Sequence, residues 1–357
     1  MYTSFRLKNF RGFRDLEMTD LARFNLVAGA NNVGKTALLE GLFLHLGAHN
    51  PELPLRVSAI RGIEKFRIDA ETMWGWLFYN KQTKETIELR GLTDDGIERT
   101  LDIRLVEPQT AQIVASPNDG AGKDRGDGAL STAGAQYQLA LDYRDSAGQQ
   151  AHAHAEITPD GEVAVKRAAV SPGMPGIYLS TRTRFASEDV ERFSNLERIG
   201  QHEALLPTLK LLEPRLKRLS VLVDGGAPKI HGDIGLTELM PLAFAGEGMV
   251  RLLSILLAIA SCRGGVVLID EIENGLHYSV LERVFAAIGA AARTYAVQIF
   301  ATTHSWECIR AAHNAFVAGG TYDFCLHRLD RTRDQISAVS FTQASLEASI
   351  QHELEVR

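Results

Sequence analysis

Apolar residues recur along this chain with two periods, and these divide it into strand and helix regions. Near the start, "FRLKNF", "RDLEM" and "RFNLVAG" alternate or run apolar between short turns, which predicts three strands. "GKTALLEGLFLHLGAH" then spaces its apolar residues as a helix does. From about residue 85 to about 170 the pattern returns to strands. "TIELRGLTDDGIERTLDIRLVE" reads as two strands around an Asp-Gly turn, and "YQLALDYRDSAGQQAHAHAEIT" as a second hairpin. Between them, "SPNDGAGKDRGDGALSTAGA" has almost nothing to bury, so a mobile loop is expected over about 116–134. "GIYLS" is a further strand. From about Ser187 to Leu222 a mixed-charge helical pattern predicts an inserted helical lobe. "GMVRLLSILLAIASCRGG" predicts a helix closed by Gly-Gly. "YSVLERVFAAIGAAAR" is another helix, and "AVQIFATTHS" a buried strand.

One stretch, "VVLIDEIENGLH" from Val266 to His277, breaks both periods. Four aliphatic residues without alternation predict a strand buried on both faces, as inside a parallel sheet. The carboxyl edge of such a sheet is where α/β proteins hold ligands. Asp270 and Glu271 meet at that edge, and adjacent carboxylates repel unless a cation shares the site.

Gly29, Ala30, Asn31, Asn32, Val33, Gly34, Lys35 and Thr36 spell GxxxxGK[ST] between a predicted strand and a predicted helix, the context that gives this motif its meaning. Glycines let backbone N–H groups turn towards phosphates, and the helix N-terminus adds partial positive charge. Lys35 is expected to reach the β- and γ-phosphates of ATP, with Ala37 closing the cradle. Thr36 and Asp270 are expected to ligate Mg²⁺. Glu271 is then the expected general base for the attacking water. His304, immediately after a buried strand, is expected to contact the γ-phosphate. Glu273 reads as an exposed carboxylate at a helix start.

Composition narrows the setting. A chain of 357 residues suits two domains, or one with a large insertion, and 45% hydrophobic content is ample for a core. A net charge of -6 excludes a uniformly basic nucleic-acid coat. Cys262, Cys308 and Cys325 have no CxxC spacing and read as reduced thiols. "MYTSFRLKNF" lacks the apolar core of a signal peptide, and Leu252 to Ala260 is too short to span a bilayer. A cytoplasmic protein with no membrane partner is expected. His152 and His154 share a strand face without a third ligand, so they read as a solvent-facing hairpin. Arg192, Arg198, Lys210, Arg215, Lys217 and Arg218 alternate with Glu191, Glu197 and Glu213, which reads as an ordinary charged surface.

These motifs together resemble the ABC-type ATPase heads of the SMC, RecF and OLD proteins. "NFRGFRDLEM" is similar to their N-terminal strand pair, and the resemblance implies that Asn9, Arg11 and Phe13 border the nucleotide. "LIDEIENGLH" and "TTHS" are similar to the form in bacterial AAA15 and OLD-like ATPases that lack a Toprim domain. The resemblance runs from Phe5 to about Leu329 and is weakest in the Gly-rich loop and the helical lobe. It implies an α/β fold, an ABC-ATPase head of the P-loop NTPase class with an antiparallel β subdomain and an inserted helical lobe. The expected division is 1–186 as ATPase lobe I, 187–245 as the helical lobe, 246–329 as the signature helix, Walker B and His-switch part, and 330–357 as a tail.

The signature loop of that family should precede the helix before Walker B, where this chain reads "FAGEGMVRLLSIL". Against Ser-Gly-Gly-Gln-x-x-Arg, Ala245 replaces Ser, Glu247 replaces Gly and Gly248 replaces Gln, while Gly246 and Arg251 fit. The resemblance implies that Gly246, Glu247 and Gly248 complete the nucleotide site of a second copy through backbone and helix dipole, without the hydroxyl. The departure argues against a transporter subunit. "YLSTRTRF" has no Q-loop glutamine, and Arg182 and Arg184 read as solvated arginines.

The function implied is an ATP-hydrolysing switch that forms an ATP-sandwich homodimer. OLD nucleases carry a Toprim domain after the last ATPase motif. Here the residues after His304 show a strand-like piece and a polar helix, with no acidic nuclease cluster. A separate effector protein, such as a nuclease or toxin, is therefore expected, in bacterial antiphage defence, with no nuclease activity in this chain. The alternative is a RecF-like ATPase that binds DNA in repair or replication, marked by a basic dimer groove and DNA-stimulated hydrolysis. The intact Glu271 argues against a scaffold that only binds ATP.

Overall fold

The computed structural model describes residues 1–61, 70–106, 137–157, 163–167, 173–181, 186–333 and 335–356. The loop expected over about 116–134, and Arg182 and Arg184, lie outside the described residues.

The chain opens with β1 (Tyr2–Phe10), β2 (Phe13–Met18) and β3 (Phe24–Gly29), then α1 (Lys35–Leu46), α2 (Leu53–Ile60) and α3 (Ala70–Gly75). Next come β4 (Ile87–Thr93), β5 (Glu98–Val106), β6 (Gln138–Asp145), β7 (Gln150–Ile157), β8 (Val163–Lys166) and β9 (Gly176–Leu179). The inserted region holds α4 (Ala186–Arg198), α5 (Leu206–Leu209), β10 (Arg218–Asp224), β11 (Ala227–Asp233) and β12 (Met240–Pro241). The last part is α6 (Glu247–Ser261), β13 (Val266–Ile269), α7 (Tyr278–Thr294), β14 (Gln298–Thr302), α8 (Trp306–Ala318), β15 (Phe324–Thr332), β16 (Gln335–Phe341) and α9 (Gln343–Gln351).

Two sheets result. The first is antiparallel, in the order β2-β1-β4-β5-β6-β7-β8. The second has the order β16-β15-β3-β14-β13-β9, parallel from β15 to β9 with β16 antiparallel at one edge. Strand β13 shows why its sequence carries no alternation. Val267 and Ile269 pack into the core under α6, α7 and α8, while Val266 and Leu268 pack into the core around α1. Both faces are dry, so both need apolar side chains. Helix α1 sits between the two sheets and is buried on nearly all sides, which is why it lacks a polar face.

The inserted region differs from its expected helical character in its second half. Helix α4 forms as predicted, with Val190, Phe193 and Leu196 buried. Pro207 and Pro214 then interrupt "HEALLPTLKLLEPRLKRLSVL", because proline donates no helix hydrogen bond and displaces the residue before it. The chain instead enters a three-stranded antiparallel sheet, β10-β11-β12. The basic residues of this region meet acidic neighbours: Arg192 pairs with Glu188 and Asp189, and Arg215 with Glu213. Cys262, Cys308 and Cys325 are buried free thiols. No helix among the described residues is long and apolar enough to cross a membrane.

Two buried histidines tie the layers together. His45 on α1 sits beside the Tyr2 hydroxyl (2.7 Å) and the Arg99 carbonyl (3.0 Å). The carbonyl only accepts, so Nε2 carries the proton and Nδ1 accepts from Tyr2. His327 on β15 bonds Ser340 (2.9 Å) and the Asn25 side-chain oxygen (3.2 Å). Burial pushes both imidazoles down to about 4. The unfolded chain, near 6.5, therefore takes up these protons first, and acidification below that value favours unfolding. Each histidine should remove about 2 kcal/mol of stability between pH 7 and pH 5. Urea unfolding at the two pH values checks this, and an unchanged midpoint would refute the buried neutral imidazoles.

Candidate functional site

Sheet register assembles the site. Ile269 pairs with Ala301 and with Leu179, so Asp270, Thr302 and the Ser180–Thr181 segment emerge side by side at the carboxyl edge. Strand β3 ends at the same edge and delivers the phosphate loop. Gly29 has φ 144, and a Cβ there would lie 2.7 Å from the Leu329 carbonyl oxygen. Gly34 has φ 110 and caps α1, and a Cβ there would meet the Phe13 ring at 2.8 Å. Both positions exclude other residues by conformation and by space. Phe13 is buried and acts as packing beneath the loop. Val33 is also buried, and Asn32 adopts a left-handed backbone at φ 61.

The Lys35 ammonium donates to the carbonyls of Gly29 (2.6 Å) and Ala30 (3.1 Å). Burial lowers its pKa, while Glu271, Asp270 and Glu273 act in the opposite sense. Thr36 Oγ1 lies 3.2 Å from both carboxylate oxygens of Asp270. Asp270 is 5% exposed. It also accepts from Thr302 Oγ1 (2.7 Å) and Thr181 Oγ1 (3.4 Å). A hydroxyl and a carboxylate converging at this distance are the hard oxygen donors that suit Mg²⁺. Arg251 on α6 donates to the Asp270 carbonyl at 2.5 Å.

Glu271 takes a left-handed backbone, φ 48, held by its N–H donating to Thr302 Oγ1 at 2.8 Å. Its Oε2 accepts from Asn274 Nδ2 at 2.7 Å. Thr302 therefore fixes both adjacent acids with one hydroxyl. Glu273 corrects the sequence reading. Its side chain is 10% exposed, not a surface carboxylate, because Thr303 Oγ1 (2.7 Å) and the His304 N–H (3.1 Å) draw it in. His304 lies between the end of β14 and Ser305, whose hydroxyl caps α8 by accepting from Cys308 N–H at 3.1 Å.

An open cavity of about 1010 Å³ spans the phosphate loop and the acids. Its walls include Asn31, Asn32, Gly34, Lys35, Thr36, Ala37, Asp270 and Glu271, and also Arg11. Asn9 lies away from it, buried, with Nδ2 3.5 Å from the Thr86 carbonyl. His304 and the Gly246–Gly248 segment also lie outside its walls. Gly248 packs instead against the loop after β13, where a Cβ would stand 2.2 Å from the Gly275 carbonyl oxygen. Sequence reasoning missed Arg61, Trp76, Thr302 and Arg331, all in the cavity wall. Arg61 and Arg11 share the fully buried Glu40 on α1, at 2.7 and 2.6 Å. Arg331 donates to the Asn32 carbonyl at 3.0 Å. Only Thr302 left a trace in sequence, as a polar residue closing an apolar strand. His152 is exposed and paired with Asp142, as a hairpin surface residue should be.

A phosphate loop, a hydroxyl and buried acids at one edge of a parallel sheet define a P-loop ATPase. Comparison with known proteins agrees with that class. Residues 133–309 match the family described as "AAA domain, putative AbiEii toxin, Type IV TA system", and residues 4–142 match a second AAA domain family. An "ATP/GTP phosphatase" of Helicobacter pylori is 23% identical over 364 residues, covering 93% of this chain and 94% of that protein. An uncharacterized protein of Methanocaldococcus jannaschii is 31% identical over 109 residues, covering 28% of this chain and 46% of that protein. Solved structures with similarity include an Smc head bound to the C-winged helix domain of ScpA, at 12% identity, 98% and 99% coverage and TM-score 0.48. The SMC head domain from Thermotoga maritima has 12% identity, 96% and 99% coverage and TM-score 0.42. Both family matches are to AAA-type ATPase domains, in agreement with the phosphate loop and the acids of the site.

Thr302→Val removes the hydroxyl that links Asp270 and Glu271 while keeping side-chain volume. Two hydrogen bonds of about 1 kcal/mol each are lost, so ATP turnover should fall about tenfold or more. Phosphate release checks this, and turnover equal to the unmodified protein would deny Thr302 its positioning role.

Proposed function

We propose that this chain is an ATP-driven, dimerising switch that controls a separate effector protein, a nuclease or a toxin, in bacterial antiphage defence. The observation that carries the catalytic part is the meeting of Thr36, Asp270 and Glu271 beside Lys35 at one sheet edge. Lys35 binds the β- and γ-phosphates once its contacts to the Gly29 and Ala30 carbonyls give way. Thr36 and Asp270 would hold Mg²⁺, which would neutralise phosphate charge. Glu271 orients the attacking water and accepts its proton.

The dimer reading is supported by the placement of the signature segment. Gly246, Glu247 and Gly248 form the N-terminus of the 15-residue α6 and lie outside the cavity of their own chain. A helix N-terminus so placed offers its partial positive charge to the γ-phosphate on a second copy. The matching family, described as a putative AbiEii toxin of a type IV toxin–antitoxin system, supports a toxin–antitoxin setting for this switch. ATP acts by differential affinity for the closed dimer, whose surface the effector reads.

Lys35→Ala should abolish ATP binding or turnover, because alanine supplies no charge to the phosphates. Unchanged affinity and turnover would remove the phosphate loop from the account. Glu271→Gln should bind ATP, hydrolyse it slowly and accumulate as a dimer, because the amide fills the same space but cannot take the proton. Light scattering with ATP should then show a doubled mass; a monomer that turns over normally would reassign the base. The purified chain, with ATP, Mg²⁺ or Mn²⁺, and plasmid, single-stranded DNA or RNA, should leave the nucleic acid intact. Cleavage abolished by a mutation outside the ATP site would place an effector within this chain.

A further inference from the structure

Glu273 has no part in the mechanism above, yet its burial has to be explained. Its Oε1 accepts from the Thr303 hydroxyl at 2.7 Å and the His304 backbone N–H at 3.1 Å, and stands 3.4 Å from His304 Nδ1. Its Oε2 is buried without a hydrogen-bond partner among the described residues. A half-satisfied buried carboxylate costs stability, so its retention calls for a return elsewhere. The imidazole it faces is 53% exposed, while Glu273 beneath it is 10% exposed. Glu271 is engaged differently, by Asn274 and Thr302. The two glutamates therefore belong to separate hydrogen-bond sets.

We propose that Glu273 is the positioning residue of His304, holding the Nδ1 side of its ring so that Nε2 faces the γ-phosphate. This rests on the reading of His304 as a γ-phosphate contact. A phosphate oxygen only accepts, so Nε2 must carry a proton to bond it. With Nδ1 turned towards Glu273, Nε2 is the ring nitrogen left to face the phosphate. The backbone bond from His304 N–H and the Thr303 hydroxyl keep the carboxylate in register with the ring. An outer carboxylate thus sets the orientation of a histidine, as second-layer acids do for metal-bound histidines.

Steady-state ATP hydrolysis by Glu273→Gln, His304→Ala and the double variant tests this, beside ¹⁵N NMR of the His304 ring in the nucleotide-free protein. Glu273→Gln should lower kcat about 10–100-fold with little change in KM, as loss of a histidine's outer partner does. The double variant should be no slower than His304→Ala, and the ring signals should move in Glu273→Gln. Glu273→Asp, which keeps the charge, should recover most of the loss and carries the same test should the glutamine variant not fold. If His304→Ala is slow but Glu273→Gln turns over normally with unmoved ring signals, the positioning role is overturned and the γ-phosphate reading stands. If His304→Ala itself turns over normally, both are overturned.

Discussion

Thr36 and Asp270 lie 234 residues apart in sequence, and their side chains meet at 3.2 Å. That contact is possible only if β3 and β13 end at the same sheet edge, with β14 between them in register. The register depends in turn on cores that cover both faces of the parallel sheet. A one-residue slip of β13 would reverse every buried side chain and carry Asp270 away from Thr36. The chemistry and the packing are thus one constraint, seen from its polar and apolar ends.

The loop after β13 extends this constraint outward. Within six residues it holds Asp270 beside Thr36, ties Glu271 to Asn274, sinks Glu273 under His304, and seats Gly275 against Gly248 at the start of α6. A shift at any of these contacts is felt by the others, since close-packed segments do not deform independently. In the proposed dimer, the segment that would face a second copy is thereby packed against the loop that carries the proposed general base. This gives ATP occupancy a short mechanical path to the surface an effector would read.

Much of the fold was legible in sequence because its signals are local. Strand alternation, the apolar run at Val266–Ile269 and the glycine spacing at Gly29 and Gly34 each follow from the backbone they specify. The second half of the inserted region was not, because "LKLLEPRLKRLSVL" carries a helical charge rhythm that Pro214 and the β10–β11 pairing override. Joining β1 and β2 to the distant hairpins in one sheet likewise depends on pairing that no local pattern encodes. In the candidate site, the residues contiguous in motifs could be found in advance. Arg61 and Arg331 could not, since they reach the cavity from other elements, and nothing local on α1 marks Glu40 as the partner of Arg11 and Arg61. The burial of Glu273 escaped notice because its partners, Thr303 and His304, lie 30 and 31 residues away.

The central claim is that this sheet edge binds and hydrolyses ATP through Thr36 and Asp270 with Mg²⁺. The most direct test is phosphate release over a Mg²⁺ titration, comparing the unmodified chain with Asp270→Asn. The account predicts Mg²⁺-dependent release by the unmodified chain and a fall of about 100-fold or more in the variant, several kcal/mol of lost charge stabilisation. Release by Asp270→Asn at the unmodified rate, with the same Mg²⁺ dependence, would contradict it.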